Sequence, residues 1–585
     1  MCGIFAYTGK NKDASHLVLK GLKKLEYRGY DSWGIAALKN DALLVEKHTG
    51  KIKDAQISLP TSKIAIGHTR WATHGGVTVA NAHPHFDCQK KIVLLHNGIV
   101  ENFEDIKHSL DVDHNFKSQT DTEVIVHLIE ENMHTMKFSD AVRYAFLKLK
   151  GLNAIVVLEK ESGDIIACKN GSPLVVGIGE DELYLASDPT GIIEYTKRLV
   201  FLKDQEMVIL NETCELYSIQ TGKKISFQPE VVDWEVTTSS LGKFPHYMIK
   251  EIFDQESIIK NMSKTLSSEV KDVAQSIQKA QGTFFIGAGT AYHACLMGTY
   301  LFSTIAGKHV NTAVASEFNY LEDFLTNRSL IIALSQSGET IDVIEPLQRA
   351  QKRGTGIIGI VNSLGSTIYR MSDKKILLSA GPELAVASTK AYTAKVSMLL
   401  LLAGIMSNKL SQIQTSLLHA SDEVKRLLEP SSLKDIKKIA KMLSHAEHIY
   451  TIGRGLSYPT ALEAALKIKE VSYIHTEGLA GGELKHGTIA LISKGIPCIV
   501  FAPEDETYEA IISNATEIKA RGGVIIGVSS RRSSVFDYYI EVKDCKEASA
   551  ISHIIPAQLI AYYLAVEKNL DPDKPRNLAK SVTVK

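Results

Sequence analysis

Residues 1–9 read MCGIFAYTG, and the cysteine directly behind the initiator methionine decides how the first third of the chain is read. Elsewhere in a chain a cysteine is usually a small buried hydrophobe. At position 2 it has a second use. Methionine aminopeptidase removes Met1 when the next residue is small, and Cys2 then carries a free α-amine with a pKa near ~8. That amine accepts the thiol proton, so one residue supplies both nucleophile and base, the logic of a threonine activated by its own N-terminal amine. On nine residues alone, the reading as an incidental cysteine stays open.

The 585 residues suffice for about three to four domains of ~150 residues. Lys+Arg and Asp+Glu both number 66, for a formal net charge of zero. No basic field therefore points to nucleic acid and no acidic tail to a basic partner, and small substrates are expected. The seven cysteines (Cys2, Cys88, Cys168, Cys214, Cys295, Cys498, Cys545) include no CxxC pair. This argues against a zinc site and a disulfide framework and fits a reducing cytoplasm. The opening MCGIFAYTGKNKD lacks the basic and apolar regions of a signal peptide, and the longest apolar run, VSMLLLLAGIM from Val396, is about half a membrane span. A buried helix and no membrane partner are expected.

Up to about residue 225, short β-rich runs with turn signals (KIAIGHTRWATHGG, KIVLLHNGIV, NAIVVLEKESGDIIACKN) enclose helical stretches such as DTEVIVHLIEENMHTM, which reads as an α+β domain. ISFQPEVVDWEVTTSSLGKFPHYMIKEI has little periodicity, so a linker is placed at 226–245 and a helix from about His246. Beyond it, apolar β-branched runs alternate with amphipathic helices, the pattern of parallel βαβ units. That half repeats itself: TFFIGAGTAYHACL aligns with IYTIGRGLSYPTAL, LIIALSQSGETIDVI with CIVFAPEDETYEAII, and TGIIGIVNS with GGVIIGVSS. Thr340 and Thr507 stand 167 residues apart and Gly287 and Gly453 166 apart, so two duplicated doubly wound sheets are expected.

Asn97-Gly98, after the apolar run KIVLL, could aim a side-chain amide and a backbone N–H at one tetrahedral oxygen; a simple Asn-Gly turn is the competing reading. Arg70, behind KIAI, and Asp121, ahead of a helix, suit the carboxylate and ammonium of a free amino acid, against the blander readings of an exposed ion pair and a helix cap. MCGIFAY, EYRGYDS, GHTRWATHG, NAHPH, HNGIVEN and TDTEV resemble, in order and spacing, the class II glutamine amidotransferase domain, an N-terminal-nucleophile fold. The resemblance implies Cys2 as nucleophile, Asn97 and Gly98 as oxyanion hole, and Arg70, Trp71, Thr73, His74 and Asp121 around L-glutamine, with Trp71 gating an ammonia path. Trp33 departs from the small residue usual there, beside Arg28 and Asp31.

In the second half, SQSGET follows an apolar strand and opens a helix, a ready site for phosphate. Ser335, Gln336, Ser337 and Thr340 can all donate, and Gly338 lets the backbone approach. The repeat has acidic PEDET there, so one phosphate site per chain is expected. In ALEAALKIKEV, Glu463, Lys467 and Glu470 fall on one helix face; a solvated stripe is the alternative. GGELKHG carries Lys485 and His486, and RNLAKSVTVK carries Lys580 in what could be a frayed terminus. SQSGET, VASTKAY, EAALKIKE, GELKHG and PRNLAKSVTV resemble the sugar isomerase (SIS) domains and tail of the glutamine:fructose-6-phosphate aminotransferase family.

The whole chain is therefore expected to be an α+β N-terminal-nucleophile (class II glutamine amidotransferase) domain at 2–225, a linker at 226–245, two α/β doubly wound SIS domains at 246–430 and 431–570, and a catalytic tail at 571–585. The resemblance implies aminotransfer from L-glutamine to fructose 6-phosphate with ketose-to-aldose isomerisation, and no cofactor. His486 would open the sugar ring, Lys580 form a Schiff base and Glu470 move a proton. Thr290, Ser335, Gln336, Ser337, Thr340, Val386, Ser388, Lys467 and Ala579 would hold the sugar phosphate, with Lys485 a further supporting charge. Ala291 stands where the family usually has serine. A cytoplasmic homodimer is expected; the alternative is a paralogous amidotransferase or deglycase acting on another sugar phosphate.

Overall fold

Alternate side chains of the strand Gly3–Gly9 leave it in opposite directions, and both sets are buried. Ile4 and Ala6 enter a core with Val93, Leu95, Val156 and Leu158 of a facing sheet. Phe5 and Tyr7 pack outward with Val18 and Leu22 of the helix Ala14–Lys24. The facing sheet does the same, sending Ile92, Leu94, Ile155 and Val157 outward against Val124, Ile129 and Phe146 of the helices Glu123–Asn132 and Phe138–Lys148. Two sheets buried on both faces explain why these strands read as continuous apolar runs, each fully buried side chain contributing about 1.5–3 kcal/mol.

The computed structural model describes residues 2–232, 241–264 and 267–582. The chain divides into two units, Met1–Thr237 with Ala579–Lys585, and Thr238–Leu578. In the first, an eight-stranded antiparallel sheet runs in the order Glu230–Val231, Arg198–Phe201, Val175–Ile178, Glu182–Ala186, Gly3–Gly9, Ile64–Arg70, Ser32–Lys39, Ala42–Thr49. It packs on a seven-stranded antiparallel sheet whose central strands are Ile165–Asn170, Asn153–Glu159 and Ile92–Gly98.

The second unit carries the duplication. Its first sheet runs Asn311–Val314, Gly282–Gly287, Ser329–Ser335, Gly356–Val361, Lys374–Leu377, and its second His475–Ala480, His448–Gly453, Pro497–Ala502, Val524–Ser529, Tyr538–Glu541. Both are wholly parallel, and both have the spatial order 2-1-3-4-5 of doubly wound folds. The run from Val396 lies in the helix Lys390–Met406, buried from Lys390 to Gly404. The segment Lys546–Glu567 is long and apolar enough to cross a membrane, but its apolar window is 89% buried within the protein.

Part of the 226–245 stretch expected as linker is strand: Glu230–Val231 pairs with Arg198–Phe201 at the sheet edge. Residues 233–240 of it lie outside the described residues, and the following helix is Tyr247–Lys264. The segment expected as one tail, 571–585, is shared between the units, and its last three residues lie outside the described ones. Its beginning is not frayed: the Asp573 carboxylate accepts the N–H groups of Tyr247 and Met248 at 2.8 and 2.7 Å, capping the helix Tyr247–Lys264 from a distant part of the chain. Asp573→Ala should cost about 0.5–2 kcal/mol, read as a lower thermal midpoint of the full chain, whereas Asp573→Asn should retain most of the stability.

Candidate active site

Antiparallel pairing sets Gly3 opposite Thr69, which brings Cys2 beside the end of the strand Ile64–Arg70. The Trp71 N–H donates to Cys2 Sγ at 3.2 Å. Gly3 must be glycine: a Cβ there would stand 2.5 Å from Thr69 Oγ1 and 2.9 Å from Leu25 Cβ. Burial pushes the Cys2 thiol above its ordinary range, while the Trp71 N–H and the Arg70 guanidinium draw it back down. The sulfur opens on a cleft also lined by Arg70, Trp71, Thr73, Gly98 and Asp121, with His83, His96, Thr120 and Thr122.

Arg70 also grips the loop beyond it, donating to the carbonyls of His74, Gly75 and Gly76, while Asp121 accepts the Val100 N–H at 2.7 Å. His74 is not among the cleft residues; its ring meets the edge of Phe103, and only its carbonyl reaches the Arg70 guanidinium. Asn97 Nδ2 donates to the Cys2 carbonyl at 2.9 Å. An amide has a second N–H, which remains for an oxyanion beside the N–H of Gly98. That glycine has φ +146°, and a Cβ on it would lie 2.3 Å from the Leu152 carbonyl oxygen.

Asn97 is oriented by a buried histidine network. His68 Nε2 lies 3.1 Å from the His96 carbonyl and 3.0 Å from Asn97 Oδ1. The carbonyl can only accept, so His68 carries its proton on Nε2 and Asn97 turns its oxygen inward and its nitrogen to Cys2. His83 Nε2 and His96 Nδ1 both meet Thr122 Oγ1, at 3.0 and 2.9 Å, and His96 Nε2 meets Asn153 Oδ1 at 2.8 Å. One relay satisfies all of these with neutral rings: His83 donates to Thr122, Thr122 to His96, and His96 to Asn153. Burial drives His68, His83, His85 and His96 below the ordinary histidine range, His68 and His85 to about 3.

In the second unit the expected stripe Glu463, Lys467, Glu470 exists but is not solvated. Glu463 and Lys467 are fully buried; Lys467 Nζ lies 2.5 Å from Glu470 Oε2 and 3.5 Å from Glu463 Oε1. Lys467 also donates to Thr290 Oγ1 at 2.9 Å, Thr290 to Glu463 at 3.1 Å, and His293 Nδ1 meets Glu463 at 2.7 Å. Burial opposes every charge here, yet Lys467 and His293 hold Glu463 below its ordinary pKa, and Glu463 and Glu470 hold Lys467 above its own. The helix Ser457–Ser472 of one lobe is thus joined to the helix Thr290–Thr304 of the other.

Gly338, at φ +66°, turns the SQSGET loop so tightly that a Cβ would stand 1.9 Å from Ser366 Oγ. Ser335 and Ser337 hydroxyls accept the N–H groups of Gly338 and Glu339. Thr340 stands at the N-cap of Ile341–Lys352 but makes no side-chain capping bond, and Gln336 Oε1 is buried without a partner. In the other lobe the equivalent Thr507 donates its hydroxyl and its N–H to Asp505 Oδ1, at 2.6 and 2.8 Å. An internal carboxylate fills the place that the first lobe leaves open. Nearby, Val386 donates its N–H to the Asp573 carbonyl and Ser388 its hydroxyl to Glu383.

Not every expected residue joins these clusters. His486 is exposed on the turn Glu483–His486, and Lys485 pairs on the surface with Glu517 at 3.0 Å. Ala579 and Lys580, both half-buried, group with the first unit.

Residues 42–221 match the family model for the glutamine amidotransferase domain, and 276–404 and 442–568 each match that for the SIS domain. Over 600 aligned residues, 100% of both chains, this chain is 44% identical to the glutamine–fructose-6-phosphate aminotransferase (isomerizing) of Pyrococcus horikoshii. It is 41% identical over 602 residues, again 100% of both, to that of Thermococcus kodakarensis. The chain belongs to the isomerising glutamine–fructose-6-phosphate aminotransferase family. Among solved structures, the C-terminal domain of the aminotransferase from Francisella tularensis matches at TM-score 0.54 and 32% identity, covering 57% of this chain and 100% of that one. Tagatose-6-phosphate ketose/aldose isomerase from Escherichia coli matches at TM-score 0.50 and 15% identity, over 59% and 99% of the two chains, which shows the shared fold alone.

The two departures from the aminotransferase family pattern are accommodated. Trp33 is buried and stacks on His48 at 4.5 Å, and Arg28 keeps a buried pair with Asp188 at 2.9 Å. Ala291, in the first turn of Thr290–Thr304, is 7% exposed and offers only a methyl group. Sequence reasoning missed His293, Glu383 and the four histidines. His293 lies one turn after Thr290 in an apolar helix, a spacing that could have revealed it. The neutral imidazoles make the first unit acid-sensitive. Their folded pKa values lie below the unfolded ~6.5, so their contribution is complete above pH 6.5 and is lost as pH falls, by ~1.4 kcal/mol per group per pH unit. Thermal midpoints should drop steeply between about pH 6.5 and 4.5, and His85→Gln should flatten the slope.

Proposed function

We propose that this chain converts L-glutamine and fructose 6-phosphate to glucosamine 6-phosphate and L-glutamate. The observation that carries the reading is the Cys2 sulfur, held by the Trp71 N–H at 3.2 Å in a cleft with Arg70 and Asp121, in a chain whose other unit bears the buried Thr290 and Lys467 with the half-buried Glu470. With Met1 removed, the Cys2 α-amine takes the thiol proton and the thiolate attacks the glutamine carboxamide. Asn97 and Gly98 receive the oxyanion, Arg70 and Asp121 hold the α-carboxylate and α-ammonium, Thr73 and Trp71 complete the pocket, and the His74 carbonyl holds the Arg70 guanidinium. Ammonia leaves, and water then hydrolyses the thioester to glutamate.

At the sugar site, Ser335, Gln336, Ser337 and Thr340 bind the phosphate, with Thr290, Val386, Ser388 and Ala579 around the sugar. His486 assists ring opening, and Lys580 condenses with C2, expelling water to form an imine that ammonia then displaces. Glu470 moves the proton from C1 to C2, its position fixed by Lys467. The chemistry needs no redox cofactor, since the imine draws electrons from C1. We propose a cytoplasmic homodimer: seven free cysteines suit a reducing compartment, and the exposed Tyr320, Leu321 and Phe324 offer an apolar patch of the kind that marks protein interfaces.

Mass spectrometry with amide-labelled glutamine should find the label in glucosamine 6-phosphate. Cys2→Ala should reduce glutamine-dependent synthesis to background while fructose 6-phosphate isomerisation persists; synthesis retained by this variant would defeat the nucleophile assignment. Ser337→Ala with Thr340→Ala should raise the KM for fructose 6-phosphate about tenfold or more, each lost bond to a charged oxygen being worth ~1.5–3 kcal/mol, with sugar-independent glutamine hydrolysis little changed. Borohydride with fructose 6-phosphate should trap an adduct that peptide mapping places at Lys580, absent in Lys580→Arg.

A further inference from the structure

On the first unit, Cys88, His114, His127 and Glu130 bring one donor atom each within 4.8 Å of all the others, and none of the four lines the glutamine cleft. Cys88 lies in the loop between the strands His85–Phe86 and Ile92–Gly98, His114 in the connection that follows the helix Phe103–His108, and His127 and Glu130 one turn apart on Glu123–Asn132. Cys88 Sγ is 3.5 Å from His114 Nδ1 and 3.8 Å from His127 Nδ1, and both Nδ1 atoms are 3.0 Å from the same oxygen, Glu130 Oε2. An ion with bonds of about 2.3 Å to sulfur and 2.0–2.2 Å to nitrogen and oxygen separates tetrahedral donors by about 3.3–3.6 Å, close to all four of these distances.

The far side of each ring supports the same conclusion. His114 Nε2 faces Glu131 Oε1 at 3.2 Å, and His127 Nε2 faces Glu123 Oε1 at 3.9 Å. Each imidazole therefore has a carboxylate on its far side and a convergent set of donors in front, and for His114 that carboxylate is within hydrogen-bond reach, the outer arrangement that fixes the tautomer of metal-bound histidines. We infer that Cys88, His114, His127 and Glu130 form a tetrahedral site for a zinc-like divalent metal ion. The ion takes Cys88 as thiolate and both imidazoles neutral through Nδ1, releasing the protons these atoms held. It clips two loops to the helix Glu123–Asn132, directly after Thr120, Asp121 and Thr122 of the cleft, and so acts as a structural clamp. The ligand spacing, 26, 13 and 3 residues, matches no short motif, which is why scattered cysteines pointed away from zinc.

The test uses the full chain stripped with chelator and loaded with cobalt(II). One cobalt per chain, with a thiolate-to-metal charge-transfer band and intense visible bands of tetrahedral cobalt, is expected; the spectrum should persist in Cys2→Ala and vanish in Cys88→Ser. Zinc added to the stripped chain should raise the thermal midpoint, and His114→Gln should abolish that shift. A spectrum that survives in Cys88→Ser but not in Cys2→Ala would overturn the proposal, as would a stripped chain that takes up no metal, leaving Glu130 to bridge two protonated imidazoles instead. X-ray absorption on the unmutated zinc-loaded chain decides the matter if the variants fail to fold: one sulfur in a four-coordinate shell is expected, and a shell of nitrogen and oxygen alone refutes it.

Discussion

The strand register that sets Gly3 against Thr69 governs the first unit. An antiparallel pair shifted by one residue would turn every side chain to the opposite face, sending Phe5 and Tyr7 into the space between the sheets and Ile4 and Ala6 out to the helix. The cores on the two faces differ in depth and composition, so the register is fixed from both sides. Cys2 inherits its position from that constraint. It sits one step beyond the last buried pair, where the Trp71 N–H meets its sulfur and the Asn97 amide meets its carbonyl. The Cys2 sulfur is placed by backbone pairing, and the Asn97 amide beside it is oriented by the neutral imidazole of His68.

The second unit is held differently. Glu463, Lys467 and Glu470 carry charge into a place where desolvation costs several kcal/mol per ion. Such a cluster survives because each charged group has a partner: two carboxylates share one ammonium, and Thr290 and His293 bond to Glu463. Hydrophobic residues of the same size would hold the two helices at least as firmly. Retaining ions there fits a requirement for Glu470 at a set place and charge.

Fold and site were legible to different depths. The repeat was readable because Gly287 and Gly453 each end a first strand and Thr340 and Thr507 each begin a helix; their spacing survives because the strand and helix lengths between them do. The four layers of the first unit were not readable, since a strand buried on both faces loses its alternation and shows only an apolar run. Arg70 and Asp121 were singled out by their chemistry and Thr73 by resemblance, and the structure brings them to one cleft. The histidine relay was missed because His68, His83, His85 and His96 come from three separate segments and meet through Asn97, Thr120, Thr122, Asn153 and the His96 carbonyl. The stripe of Glu463, Lys467 and Glu470 was seen, but its burial depends on a helix 170 residues away, which periodicity cannot report. His486 lies exposed on a turn for the same reason: sequence names a residue without saying which surface it meets.

The two lobes of the second unit share strand order, helix starts and glycine positions, yet one loop closes on its own Asp505 while the other keeps Thr340 unengaged as a cap. The duplicated backbone is therefore symmetric and its side chains are not. Here the copy that closed its loop is the one whose helix carries Glu463, Lys467 and Glu470 to the other. The lobes are not interchangeable: one presents the loop and the other the charged helix, so a chain built from two copies of either lobe would lack one of the two features.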